Sequence, residues 1–235
     1  MVKFKINNKE VQGNKEDTIW KIAKSNGINI PHLCHSDEVG YKPDGNCRAC
    51  VVQVKGERTL TASCIRKPVE GMEITTNCDA AKESQKIIFE LLEADQPDRY
   101  RHPDSDSKFW NWFDKVEAEA NTFPKIKNIS CDISHPSMQV SLEACINCNL
   151  CVRACREVQS NDVIGMANRG YNSKVIFDFD DEMGDSTCVG CGECVQACPT
   201  GALMEKSLLD DNGVRETFPD KTVNSLCPYL SLIHI

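Results

Sequence analysis

The feature that most restricts the fold of this sequence is the spacing of its fifteen cysteines. Eight of them form two runs with one pattern, Cys-x2-Cys-x2-Cys-x3-Cys, that begin forty-three residues apart. A looser group near the N-terminus follows Cys-x12-Cys-x2-Cys-x13-Cys. The N-terminus has no long apolar segment typical of a secretory signal, so the cysteines favour metal ligation over disulfide bonds. Bound metal would also add folding free energy to a chain with only 6% aromatic residues.

The repeated run is the ligand pattern of a bacterial-type ferredoxin with two [4Fe–4S] clusters. Three cysteines of each run come from one tight loop, and the fourth, expected to begin a helix, ligates the other cluster. The predicted ligands are Cys145, Cys148, Cys151 and Cys198 for the first cluster, and Cys188, Cys191, Cys194 and Cys155 for the second. Zinc is the alternative, but zinc sites use two pairs of cysteines rather than a triplet with a displaced fourth.

The N-terminal group, Cys34, Cys47, Cys50 and Cys64, keeps the central Cys-x2-Cys and the distant fourth cysteine of a [2Fe–2S] site. Strand, strand, helix, ligand loop and further strands follow one another around it, which predicts a β-grasp fold. The expected elements are strands at 2–6 and 9–11, a helix from Asp17 or Thr18 to Lys24, and hairpin strands at 51–54 and 59–61. The alternatives are a zinc site or unrelated cysteines.

Outside the cysteine groups, the sequence predicts a helix over 79–96 and a strand over 175–179. Asp79 is expected to cap that helix. Its expected apolar face consists of Ile87, Ile88, Leu91 and Leu92. An aromatic group is expected to pack as core, or as a docking helix, rather than to carry a redox role: Phe109, Trp110, Trp112 and Phe113.

Three further side chains bear on the composition of the metal sites. Cys78 and Cys131 stand apart from the groups and are predicted to be unligated thiols. His35 follows Cys34 and could donate a hydrogen bond to a cluster bound there.

Several stretches resemble one group of redox enzymes. Residues 31–35, 44–50 and 62–66 resemble the N-terminal [2Fe–2S] domain of cytoplasmic NAD-dependent formate dehydrogenase, of the large iron–sulfur subunit of respiratory complex I, and of iron-only hydrogenases. Residues 145–156 and 184–203 resemble the two-cluster insert that follows in the same proteins. The resemblance extends to Tyr229 and so covers nearly the whole chain.

One motif of that group is absent. Complex I and the hydrogenases usually carry His-x3-Cys-x2-Cys-x5-Cys between the two modules. Here His102 is the only candidate start, and Asp106, Phe109 and Lys115 stand at the cysteine positions. One group of molybdenum- or tungsten-dependent formate dehydrogenases also lacks the motif, so the resemblance favours that group.

The C-terminal residues carry a second clue. Residues 225–229 resemble the start of the segment that opens the pterin-binding domain of these enzymes, where Cys227 would be the first ligand of a further [4Fe–4S] cluster. Residues 230–235 match the translation of a common sequencing adapter. We therefore expect the natural chain to continue for several hundred residues, with a short apolar tail as the alternative.

The resemblance implies the electron-transfer portion of a formate dehydrogenase catalytic subunit, with no catalytic residue in this fragment. It implies one [2Fe–2S] and two [4Fe–4S] clusters here, and a further [4Fe–4S] cluster and a molybdenum or tungsten bis-pterin guanine dinucleotide in the full-length protein. Electrons from formate would reach NAD through a flavin/NAD-binding diaphorase subunit. The alternatives are a stand-alone polyferredoxin, an accessory domain of an iron-only hydrogenase or of complex I, and a zinc-stabilised interaction module.

The expected fold class is α+β. The expected segments are a β-grasp [2Fe–2S] ferredoxin-type domain at 1–78, a helical linker at 79–137, a two-[4Fe–4S] ferredoxin-type domain at 138–207, a connector with the start of the molybdopterin domain at 208–229, and the adapter-like tail at 230–235. The net charge of −8 argues against a nucleic-acid partner. No run of eighteen apolar residues predicts a membrane span, and the expected location is the cytoplasm.

Overall fold

The computed structural model describes residues 1–125 and 131–218. The N-terminal part is a five-stranded sheet with one helix packed on it. Its elements are β1 (Val2–Ile6), β2 (Lys9–Gly13), α1 (Ile19–Ser25), β3 (Val51–Val54), β4 (Thr61–Ala62) and β5 (Glu73–Thr75). The strand order is β2-β1-β5-β3-β4, with β1 and β5 parallel and the other pairs antiparallel. This is the β-grasp arrangement that the order of elements predicts.

Alternation in β1 explains which face of the sheet becomes core. Val2, Phe4 and Ile6 are buried, whereas Lys3 and Lys5 are exposed. Since successive side chains of a strand point to opposite faces, the apolar residues share one face and join the buried residues of α1 in one cluster.

The N-terminus of α1 is fixed by one side chain. The Thr18 hydroxyl accepts a hydrogen bond from the Lys21 backbone N–H at 3.3 Å, which satisfies a donor left free in the first turn. Thr18 rather than Asp17 is therefore the N-cap. The core-facing side of the helix carries Trp20, whose indole Nε1 donates to the Ile30 carbonyl at 3.2 Å.

Strand β5 lies near the centre of the sheet although the sequence pattern did not predict it. It has only three residues, too few to show an alternation, and its neighbours β1 and β3 hold it from both sides. The predicted hairpin forms between β3 and β4, but β4 begins at Thr61, two residues later than expected.

The helix predicted over 79–96 is α2 (Asp79–Glu93), and two predicted details are wrong. Its N-cap is Cys78, in an extended conformation, and Asp79 lies in the first turn. Its buried face is only partly the expected one. Ile88 and Leu92 are half-buried, but Ile87 and Leu91 are 42% and 50% exposed.

The groups packed around α2 determine which of its faces is buried. Ala81, Gln85 and Phe89 lie four residues apart and face the core. The Gln85 side chain donates to the Val51 carbonyl at 2.9 Å, which joins the helix to β3. Glu93, also buried, is paired with Lys125. Polar residues with partners thus replace part of the expected apolar stripe.

The aromatic group packs as core, as predicted. It lies on α3 (Lys108–Lys115), whose N-cap Ser107 accepts from the Trp110 N–H at 3.5 Å. Phe109 is fully buried, with its ring centroid 5.8 Å from that of Phe89 and 5.0 Å from that of Trp110. This contact joins α3 to α2.

His102 is fully buried beside the aromatic group, and protein atoms engage both of its ring nitrogens. Its Nε2 lies 2.9 Å from the Gln96 side-chain oxygen, and its Nδ1 accepts from the Asp104 N–H at 3.1 Å. Trp110 lies with its ring centroid 5.5 Å from that of His102, and Phe109, at one cysteine position of the absent motif, packs against Trp110. Apolar packing therefore occupies this side of His102.

The C-terminal part is a second, smaller α+β unit. Its elements are β6 (Met138–Val140), α4 (Leu150–Arg153), a π-helical turn that continues α4 (Ala154–Val158), β7 (Ile164–Ala167), β8 (Lys174–Phe177), α5 (Glu193–Ala197) and β9 (Leu203–Glu205). β6 pairs with β9 and β7 pairs with β8, both antiparallel. Among the described residues, no helix is long and apolar enough to cross a membrane.

Two expectations about this unit need correction. The strand predicted over 175–179 ends at Phe177, and Phe179 is 97% exposed. The fourth cysteine of each run does not begin a helix. Cys155 lies in the turn that continues α4, and Cys198 directly follows α5. Each helix instead begins just before the third cysteine of its run. It follows a residue in the left-handed conformation, Asn149 before α4 and Gly192 before α5.

Candidate iron–sulfur sites

The four N-terminal cysteines converge on one site beside the sheet. The Cys34 N–H donates to the Cys47 sulfur and the Cys47 N–H donates to the Cys34 sulfur, both at 3.4 Å. Cys50 leads into β3 and Cys64 follows β4. The Ser63 hydroxyl between these two segments donates to the Cys50 carbonyl at 2.7 Å and holds them together.

The thiols of this site also contact one another. A hydrogen bond with Cys47, and then one with Cys64, lowers the pKa of Cys34, and the contact with Cys34 raises the pKa of Cys47. Contact with Cys64 lowers the pKa of Cys50 to about 7. Hydrogen bonds therefore link the four thiols in a chain from Cys47 through Cys34 and Cys64 to Cys50. Four converging sulfurs are the donor set that an iron–sulfur cluster requires.

The two later runs build two further sites. One cavity is lined by Cys145, Cys148, Cys151 and Cys198 together with apolar residues. A second is lined by Cys155, Cys188, Cys191 and Cys194. Each cavity takes three cysteines from one run and the fourth from the other, which is the crossed grouping that the spacing predicts. The donor set therefore fits a four-cysteine cluster at both places.

The loops of the two runs share a backbone feature that was not predicted from the sequence. Asn147 and Asn149 in one run, and Gly190 and Gly192 at the same places in the other, all have positive φ. Asparagine and glycine are the residues that best tolerate this conformation. Their alternation with cysteine in both runs is therefore the sequence signal that could have indicated the positive φ values. This conformation turns the Asn147 N–H toward the Cys145 sulfur and the Gly190 N–H toward that of Cys188, both at 3.4 Å.

Burial disfavours the charged form of the thiols in both cavities. It raises the pKa of Cys148 and Cys151, and that of Cys194 to about 12. A buried thiolate needs a positive partner, and iron supplies one. Within residues 1–125 and 131–218, no three His, Cys, Asp or Glu side chains are placed to hold a single metal ion.

The N-terminal site and the first of the two cavities are neighbours. Cys34 and Cys148 belong to one buried cluster with Leu150, with Tyr41 and Ile146 packed against it. The loop that carries Cys34 and Cys47 thus reaches the C-terminal unit. There the Tyr41 hydroxyl donates to a Glu193 carboxylate oxygen at 2.8 Å.

Two basic side chains at this junction were not found from the sequence. Arg153 is 7% exposed and donates to the carbonyls of Cys34 and Cys148. Lys108, on α3, donates to the His35 carbonyl at 3.2 Å. Burial lowers the pKa of Lys108 to about 8, although the nearby Cys47 and Cys148 thiols act in the opposite direction. No spacing rule within the sequence indicates either residue.

Four further side chains were singled out from the sequence: Cys78, Cys131, His35 and Cys227. Cys78 caps α2, and Cys131 is an exposed residue whose sulfur lies 3.3 Å from the Ser141 hydroxyl. His35 is buried with its Nδ1 unpartnered among the described atoms, so its hydrogen bond to a cluster stays a prediction. Cys227 lies outside the described residues.

Comparison with known families agrees with this geometry. The family described as a 2Fe-2S iron-sulfur cluster binding domain matches residues 1–79, and the family described as a 4Fe-4S dicluster domain matches residues 144–202. The chain therefore contains a [2Fe–2S] ferredoxin domain followed by a 4Fe–4S dicluster domain.

The chain is similar to parts of longer proteins. The chain is 29% identical to NADP-reducing hydrogenase subunit HndD of Solidesulfovibrio fructosivorans, over 95% of this chain and 39% of that protein. It is 30% identical to putative formate dehydrogenase YrhE of Bacillus subtilis, over 90% of this chain and 22% of that protein. The chain thus spans well under half of either relative.

A solved structure has the same fold. The crystal structure of an NAD+-reducing [NiFe]-hydrogenase in the H2-reduced state superposes with a TM-score of 0.82, at 24% identity. The match covers 93% of this chain and 90% of the solved one.

Proposed function

We propose that this chain is the electron-transfer region of an NAD(P)-linked oxidoreductase subunit. The observation that carries the proposal is the side-by-side placement of a four-cysteine site and a four-cysteine cavity, with Cys34 of one beside Cys148 of the other. A bound iron–sulfur cluster supplies one-electron redox chemistry at a potential set by its surroundings. The chain's own residues bury the sulfurs, direct backbone N–H groups at them and keep the sites close together.

The proposed ligands are the twelve cysteines of the three sites. Cys34, Cys47, Cys50 and Cys64 would hold the [2Fe–2S] cluster; Cys145, Cys148, Cys151 and Cys198 the first [4Fe–4S] cluster; and Cys155, Cys188, Cys191 and Cys194 the second. Purification without oxygen, followed by iron, sulfide and zinc analysis, tests the assignment. We expect about ten iron atoms per chain and electron paramagnetic resonance (EPR) signals of both cluster types. Colourless protein with zinc would refute it.

Formate is the substrate we propose for the full-length protein. The similarity to a putative formate dehydrogenase supports this, as does the apolar packing around His102 where other relatives carry a further cluster motif. The full-length protein would then add a [4Fe–4S] cluster that begins at Cys227 and a molybdenum or tungsten pterin. Its cytoplasmic partner would be a flavin/NAD-binding subunit.

A hydrogenase accessory region is the second candidate, because the chain matches a hydrogenase subunit over 95% of its length. The two candidates differ in the reductant that the complete enzyme accepts. The native complex would be isolated without oxygen and exposed to formate or to hydrogen while its visible absorption is followed. Bleaching by formate alone supports the formate proposal, and bleaching by hydrogen alone supports the hydrogenase.

A further inference from the structure

The junction between the [2Fe–2S] site and the first [4Fe–4S] site contains a buried positive charge. The guanidinium of Arg153 donates to the Cys34 carbonyl at 2.7 Å and to the Cys148 carbonyl at 3.4 Å through the same nitrogen, Nη2. Its Nη1 donates to the Lys42 carbonyl at 2.5 Å. One side chain therefore touches the backbone of a ligand from each site and also the loop between Cys34 and Cys47.

A second cation, Lys108, approaches the same junction from α3. Its ammonium group donates to the His35 carbonyl, one residue after Cys34. Among the described residues, the acidic group paired with Arg153 is Asp44, whose carboxylate lies 3.9 Å from Nε and is 37% exposed. Asp37 lies near Lys108, but its carboxylate already pairs with Lys24 at 2.6 Å. Glu193 also reaches the junction, where its carboxylate accepts from the Tyr41 hydroxyl. Among the described ion pairs, Asp44 is the acidic partner of Arg153, and Lys108 has none.

The second [4Fe–4S] site has surroundings of the opposite sign. The Asp178 carboxylate accepts from the Thr187 N–H and hydroxyl at 2.6 and 3.0 Å, directly before Cys188. Three acidic side chains are exposed in the segment before Cys188: Asp181, Glu182 and Asp185. The cation beside Cys155, Arg156, is exposed and already paired with the Asp162 carboxylate. Charge is therefore distributed unevenly along the three sites.

On the basis of the proposed ligand assignment, we propose that Arg153 and Lys108 act as positioning residues that raise the reduction potentials of the [2Fe–2S] cluster and the first [4Fe–4S] cluster above that of the second. One-electron reduction adds one negative charge to a cluster and moves no proton in this step. A fixed cation near the cluster stabilises that added charge, and a carboxylate opposes it. The electron is thus drawn from the second [4Fe–4S] site toward the N-terminal domain.

The test is an EPR-monitored redox titration of the anaerobically purified chain and its variants. Arg153→Met and Lys108→Met should each lower the reduction potential of the [2Fe–2S] cluster. A tenfold smaller equilibrium constant for one-electron reduction corresponds to a fall of about 59 mV. Arg153→Lys keeps the positive charge, so its [2Fe–2S] potential should stay close to the wild-type value. Arg156→Met and Lys115→Met are the matched controls, since both residues lie on the same helical segments but are exposed, and the [2Fe–2S] potential should not move.

The second [4Fe–4S] potential is read in a Cys148→Ser background, where the first [4Fe–4S] signal is removed. It should be the lowest of the three and should not respond to Lys108→Met. The inference is overturned if both methionine variants keep their iron and the wild-type [2Fe–2S] potential, or if the control variants shift it equally. Wild-type protein without iron would instead refute the proposed function, and this inference with it.

Discussion

Gly192 lies two residues before Cys194 in a left-handed conformation, and its replacement has the most sharply defined expected result. Gly192 has φ +78°, and a Cβ added there meets no atom within 4 Å. Alanine would therefore cause backbone strain without a clash. That strain costs about 1–2 kcal/mol, partly offset by about 0.4–1 kcal/mol of reduced freedom in the unfolded chain. The net cost of Gly192→Ala is about 1 kcal/mol.

That cost should appear as easier opening of the loop that carries Cys188, Cys191 and Cys194. A change of about 1 kcal/mol shifts an opening equilibrium about fivefold. We expect the second [4Fe–4S] cluster to release iron to a chelator about five times faster than in the unaltered protein. The measurement is the loss of visible absorption under anaerobic conditions, with the [2Fe–2S] EPR signal as an internal reference.

The matched control is Gly27→Ala. Gly27 has φ +73°, again with no atom within 4 Å of an added Cβ, but it follows α1 and lies outside all three sites. The backbone cost is similar, and cluster release should be unchanged. The reasoning is refuted if Gly192→Ala releases iron at the unaltered rate, or if Gly27→Ala speeds release to the same extent.

Three other substitutions test separate parts of the structure. Cys148→Ser should remove one [4Fe–4S] signal and leave the [2Fe–2S] signal, and loss of both would contradict the modular arrangement. Cys78→Ser should leave the iron content unchanged because this residue only caps α2, and a fall in iron would show that it is a ligand. Lys125→Met should leave the buried Glu93 carboxylate without its cation and destabilise the protein by about 2–3 kcal/mol, less than for a fully buried pair because Lys125 is 30% exposed. An unchanged thermal midpoint in calorimetry would contradict that account.

The sequence predicted the two ferredoxin-type domains better than it predicted the elements around them. Cysteine spacing reflects the geometry of the bound group, so the pattern alone predicts a crossed grouping of Cys155 and Cys198, and the two cavities are lined in the same way. The buried side of α2 could not be inferred in this way. Its buried side is fixed by Gln85, whose partner is a carbonyl of β3, and by Glu93, whose cation lies thirty-two residues further along the chain.

The junction of the two domains was also beyond prediction. Arg153 looks like an ordinary surface residue of a helix, and only the fold brings the Cys34 carbonyl, 119 residues away, within its reach. Pairs with so wide a sequence separation leave no local pattern. The positive φ of Asn147 and Asn149, by contrast, left a local signal that was missed, because glycine stands at the same places in the second run.

The proposed crossed grouping of ligands would also change how the chain between the two runs is held. Residues 156–187, including the β7–β8 hairpin, begin just after Cys155 and end just before Cys188, and both of these cysteines line one cavity. Once that site holds its cluster, the segment becomes a closed ring joined through metal–sulfur bonds, much as a disulfide closes a loop. A protease cut within this ring should therefore leave two pieces that migrate as one until the iron is removed.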